Sequence, residues 1–142
     1  AGLFMIAPFA SFFSAKTPTG SHAYFGNVNS GIGFESTGAL NAIYSNNQYT
    51  RWTGAAANSL VINTVYQVGS ASGELKYRRN GSLIAPNDPY TSWTRTEDLS
   101  FLFLHKSNTL HSDYFGYIHF NTDRSSEMAA IETYINNKLN FY

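Results

Sequence analysis

Nine carboxylates and four histidines are the groups in this chain best suited to moving protons or holding a metal. Cutting a glycosidic bond takes two carboxyl groups flanking it, one as acid and one as base or nucleophile. The carboxylates here are thinly spread. Glu97 and Asp98 are adjacent, and successive residues of a strand face opposite sides, so they cannot flank one bond. His22, His105, His111 and His119 form neither a His-x-His pair nor a His-Glu-x-x-His motif. They read as ordinary strand and loop histidines. Serine is abundant but sits in no Gly-x-Ser-x-Gly elbow. Cysteine is absent, which removes disulfides and thiolate metal sites. Ca²⁺ needs several oxygen ligands, and the loop candidates Asp88, Asp98 and Asp113 lie in no contiguous Asp-rich loop. The chain is expected to be no enzyme and to carry no cofactor, Ca²⁺ being the one ion its loops could host.

Binding chemistry is better supplied. A pyranose ring has an apolar face that stacks on aromatic rings, and hydroxyls that suit amides and carboxylates. Three turn-rich segments bring such groups together: Asn46, Asn47, Tyr49 and Trp52; Asp88, Tyr90 and Trp93; and His111, Asp113 and Tyr114. These are the candidate glycan contacts. Trp and Tyr also fill protein cores with the polar tip at the edge. For each Trp, core packing is the first reading, sugar stacking the second and a subunit interface the third.

The elements that must position these groups are mostly short strands. Leu3–Ala15 is apolar, with a turn at 16–21. His22–Asn27, Gly31–Ser36, Leu40–Tyr44 and Tyr49–Trp52 follow, the last two around a Ser45–Gln48 hairpin loop. Ser59–Val68 is rich in β-branched residues. In Glu74–Arg79, Leu75 and Tyr77 alternate with polar residues, predicting one wet face. Asn80-Gly81 is a strong hairpin signal, and Ser82–Ala85 returns from it. After a looser stretch at 86–96, Leu99–His105 is an unbroken apolar run predicting a central buried strand, and Tyr114–Asn121 predicts another strand. Only the end reads as a helix. Met128, Ile131, Ile135 and Leu139 share one helical face. Asp123 or Ser125 could cap it, with Ser125 preferred because Glu127 then falls in the first turn, and Lys138 suits the last. About ten strands and one helix predict an all-β, two-sheet antiparallel sandwich or jelly roll with a C-terminal helix.

Two of these segments are also similar to a known family. Val65–Ala85 (VYQVGSASGELKYRRNGSLIA) resembles a hairpin of the laminin-G-like, concanavalin A-like lectin/glucanase superfamily. Phe115–Leu139 resembles its C-terminal signature, a Gly-x-Ile strand followed by a short helix, through Gly116, Ile118, Glu127, Ile131, Glu132, Tyr134 and Ile135. The resemblance implies two antiparallel sheets packed face to face, in a domain type frequent in phage tail and fibre proteins and bacterial surface proteins. The superfamily's glucanases carry Glu-x-Asp-x-x-Glu on one strand, and this chain has no such motif. Family domains also have more residues before the first strand. Residues 1–142 are therefore expected to be one domain lacking some N-terminal residues.

Composition narrows the partners. Charged residues make up 13% of the chain, and nine Lys and Arg balance nine Asp and Glu, so there is no basic surplus to neutralise phosphates and no nucleic-acid role is expected. The apolar run Leu3–Phe13 falls short of the roughly 20 residues that span a bilayer and has no basic flank, so no membrane insertion is expected. It reads as a core strand or one buried on a neighbouring subunit. The expected function is adhesion or recognition in a virion (tail, fibre or capsid decoration) or at a cell surface, with a weakly bound cell-surface glycan as partner. The alternative is a structural module contacting neighbouring subunits, including a homo-oligomer. The expected location is extracellular or virion.

Overall fold

The computed structural model describes residues 3–5, 8–17, 23–27, 30–34, 41–45, 48–52, 56, 58–68, 75–88, 99–101, 105–106 and 114–142, with side chains at 8–17, 52, 56, 58–68, 75–86 and 115–142. The described strands are β1 (Leu3–Met5), β2 (Phe9–Lys16), β3 (Ala23–Asn27), β4 (Ser30–Phe34), β5 (Asn41–Ser45), β6 (Gln48–Trp52), β7 (Leu60–Gln67), β8 (Leu75–Arg79), β9 (Ser82–Ile84), β10 (Pro86–Asp88), β11 (Leu99–Phe101), β12 (His105–Lys106) and β13 (Tyr114–Phe120). Helix α1 (Met128–Leu139) follows. Among the described residues no helix is long and apolar enough to cross a membrane.

The protein is mostly β, organised on an antiparallel five-stranded sheet in the order β13–β2–β7–β8–β9. Strands β10, β6, β5, β4, β3 and β12 hydrogen-bond in that order, and β1 pairs with β11. Strand β2 starts just after Pro8, which has no N–H to give a ladder. Every residue of β2 from Phe9 to Ala15 is buried, as is β7 from Val61 to Gln67. A strand alternates its side chains between two faces, so both faces of this sheet are covered at its centre. One face carries Ala10, Phe12, Ile62 and Tyr66, and α1 lays Met128 and Ile135 on them, flanked by Ile131 and Leu139. Those four helical residues are the apolar stripe predicted from spacing. The other face carries Phe9, Phe13, Val65 and Tyr77.

Buried polar groups join the helix to the sheet. Glu132 is 2% exposed. Its carboxylate accepts from Thr64 Oγ1 at 2.7 Å and from Arg78 Nε and a terminal Arg78 nitrogen at 2.9 and 3.0 Å. Arg78 also donates to the Gly81 carbonyl. The expected wet face of β8 is therefore partly roofed by α1. The β8–β9 turn is the predicted Asn80-Gly81, both with positive φ (48° and 80°), the conformation a two-residue hairpin needs. Asn80 Oδ1 also accepts the Ile62 N–H at 2.8 Å.

Two expectations are corrected. The described parts of the run Leu99–His105 do not lie at the centre of a sheet: β11 pairs with β1, and β12 pairs with β3 at the end of the six-strand series, with 102–104 outside the described residues. The helix is capped neither by Ser125 nor by Asp123. Its N-cap is Glu127, with no side-chain cap bond. The Asp123 carboxylate instead accepts the Ser125 N–H at 2.8 Å, which holds its pKa below the ordinary value and stabilises the turn before the helix. Glu127 pairs with Arg124 at 2.7 Å, and Lys138 lies in the last turn as expected.

Candidate functional site

The predicted rim residues divide. Trp52 is corrected. It is fully buried, and its ring sits 5.5 Å from that of Tyr77, whose hydroxyl donates to Asn63 Oδ1 at 2.6 Å. A ring with no exposed face cannot stack on a sugar, so Trp52 belongs to the core. Tyr49 lies on β6 opposite Tyr44, and Asp88 ends β10 opposite Arg51 of β6. Two predicted segments thus reach neighbouring strands, with the side chains of Tyr49 and Asp88 outside the described set. Asn46, Asn47, Tyr90, Trp93, His111 and Asp113 lie outside the described residues, as does Asp98. Among the described residues no three His, Asp or Glu side chains gather as a metal would require.

The structure does assemble one cluster with the ingredients of acid–base chemistry. His119 Nδ1 lies 2.8 Å from Ser11 Oγ, and Nε2 lies 2.6 Å from Asn121 Oδ1. An amide oxygen only accepts, so with this assignment Nε2 carries the proton and Nδ1 accepts from the serine. Tyr117 Oη sits 3.2 Å from Ser11 Oγ, and the His119 ring stacks on Tyr117 (6.2 Å, 5°) and Phe9 (6.1 Å). Burial lowers the His119 pKa, partly opposed by Asn121, and pushes the Tyr117 phenol up to about 12. The order Ser–His–Asn resembles a catalytic triad. Ser11, however, has no exposed surface, and a nucleophile must meet its substrate. The cluster instead clamps β13 to β2, where Ser11 and His119 are register partners. Spacing could not have found it, since the two residues stand 108 positions apart.

A second feature is open to solvent. Strand β13 ends the five-stranded sheet, and its register with β2 shifts between Tyr114 and Gly116. Such a bulge at a sheet edge re-aims a side chain. Phe115 stands at the shift, 48% exposed, edge-on to Phe141 at 5.3 Å. On α1, Tyr134 is 59% exposed, and one turn on Lys138 holds its ammonium 5.6 Å from the Tyr134 ring centre. Between them lies a hollow of about 170 Å³, floored by Phe12, Ile118, Ile135 and Leu139. Two exposed rings, an apolar floor and one cation in the lining can hold a small ring-shaped ligand. The sequence reading missed these residues as contacts. The signal was an aromatic off the apolar stripe of a helix, followed by Lys four places later.

The sheet, covered by a helix on one face, defines a mostly β fold shared with solved domains built for binding. Among them are the botulinum neurotoxin serotype C1 binding domain (TM-score 0.60, 13% identity, 89% of this chain and 36% of that chain) and the botulinum neurotoxin DC binding domain in complex with rat synaptotagmin II (TM-score 0.59, 11% identity, 89% and 35%). A third is a structure of botulinum neurotoxin type C, a toxin dependent on interaction with two ganglioside molecules (TM-score 0.58, 14% identity, 89% and 35%). The chain spans about a third of the length of these structures. At such identities the likeness establishes the fold. No protein-family model and no curated protein matches the chain.

Proposed function

We propose that this chain is a non-enzymatic recognition module that binds a glycan in the groove between β13 and α1. The observation that carries the reading is the pair of half-exposed rings, Phe115 and Tyr134, lining an open hollow of about 170 Å³. A pyranose lays its apolar face on such rings, and few polar groups are then needed to orient it. Solved structures of like fold include a receptor-binding domain and one in complex with SialylT, which supports a binding role without locating it, since two thirds of those chains lie outside the likeness. The finer fold proposed is a laminin-G-like, concanavalin A-like sandwich. The Trp52–Tyr77 contact, which joins β6 to β8, supports the stacking of the two sheets. The proposed setting is extracellular or virion, as an adhesion module, and a low-charge composition supports it. No cofactor is proposed. A glycan array followed by saccharide titration tests the reading: binding weakened by Tyr134→Ala supports it, and silence up to millimolar sugar sinks it.

One observation favours a structural reading as well. Strand β13 carries no Lys, Asp, Glu or Pro over its seven residues and ends its sheet among the described strands. Beyond the bulge at its start, an edge without charges or proline invites pairing with another chain. In that reading β13 contacts a neighbouring subunit, and a strictly monomeric protein in sedimentation at high concentration would count against it.

A further inference from the structure

Resting on the glycan reading, we infer that the groove takes a single sugar ring bearing a carboxylate, and that Lys138 recognises the charge. Size suits the occupant. A closed cavity of about 150 Å³ lined by Leu, Ile and Phe takes up benzene, so an open hollow of about 170 Å³ has room to seat one six-membered ring against its apolar lining. Charge selects among such rings. Lys138 lines the groove, and among the described residues its ammonium has no carboxylate partner. The acids near the helix are already committed, Glu127 to Arg124 and Glu132 to Arg78. The groove is otherwise almost wholly apolar, with Ser14 Oγ turned to the Gly116 carbonyl. A lone cation beside an apolar wall adds most to a ligand that brings its own anion, because the charged hydrogen bond is the stronger kind. A neutral hexose gains only the stacking.

Methyl glucuronide and methyl glucoside differ in replacing a hydroxymethyl by a carboxylate, and so test the charge alone. Each would be titrated into ¹⁵N-labelled protein at low salt, with wild type, Lys138→Met and Tyr134→Ala. Both substituted side chains are on the exposed face of the helix, and melting temperatures check that each variant folds. The expected result is roughly tenfold tighter binding of the glucuronide, the ratio falling toward one in Lys138→Met and at high salt. Shifts should centre on β13 and the second half of α1, and Tyr134→Ala should weaken both sugars. A preference that survives Lys138→Met, equal binding of the two sugars, or shifts centred elsewhere overturns the inference while leaving a glycan role standing. Binding of neither sugar to any variant overturns both. Lys138→Met changing only the melting temperature also overturns it, because Lys138 would then serve the helix dipole alone.

Discussion

Replacing Glu132 with Ala is expected to destabilise the fold by about 3 kcal/mol, the low end of the cost of breaking a buried ion pair. The figure follows from the surroundings. Glu132 is sealed, with its side chain 2% exposed, and accepts three hydrogen bonds. Its loss strands the Thr64 hydroxyl and leaves a guanidinium under the helix. The Arg78 side chain, however, keeps 22% exposure and its bond to the Gly81 carbonyl, so water relieves part of the charge. Arg78→Met should cost more than that relief allows Glu132→Ala to cost, because it leaves a sealed carboxylate with the Thr64 hydroxyl as its remaining donor among the described residues. The decisive measurement is a urea-denaturation cycle with Glu132→Leu, Arg78→Met and the double variant. The double variant should be less destabilised than the sum of the singles by roughly 2 kcal/mol, well outside the additivity error of about 0.5 kcal/mol for independent sites. A double variant equal to that sum would falsify the pairing as an energetic unit.

Three further outcomes follow from the same packing. Trp52→Ala should cost about 3–5 kcal/mol by thermal or urea melting, as for other buried aromatic rings; near-neutral stability would return Trp52 to the surface. Gly81→Ala should cost about 1–2 kcal/mol in urea, because φ is +80° and a Cβ would stand 3.4 Å from Tyr142 Oη. His119 has a folded pKa below its ordinary 6.5, so the unfolded chain takes the proton first as pH falls. Its contribution is intact above about pH 6.5 and is lost as pH falls toward the lower folded value; in melting curves from pH 8 to 5, His119→Gln should flatten part of that decline.

What the sequence made legible was local. The Asn80-Gly81 turn and the stripe Met128–Ile131–Ile135–Leu139 are written in neighbouring residues, and both formed as read. The N-cap was misread because Asp123 and Ser125 are both capping types, and bonding to each other they build the preceding turn. The run at 99–105 was placed too centrally because an apolar stretch without a period does not say which strands it pairs with. Core packing was the first reading of Trp52, and the structure supplies the partner the sequence could not name, Tyr77, 25 positions on. The groove was illegible for a deeper reason. Phe115 and residues of α1 line one hollow at the edge strand β13, where its register shifts, and strand order is a property of the whole chain.

The pairing of β2 with β13 also sets a timetable. Strand β2 is the second of the described strands, and the partners that cover Phe12, namely Phe120 and α1, come more than 100 residues later. A ribosome adding roughly 5–20 residues per second needs on the order of 5–20 s to deliver them. Through that interval this strand, buried from Phe9 to Ala15, can pair on its β7 side while its other edge stays open. Maturation of this chain therefore depends on how well β2 is shielded while synthesis finishes, and substitutions that slow the closing of β13 should appear first as lost soluble yield, before any loss of native stability.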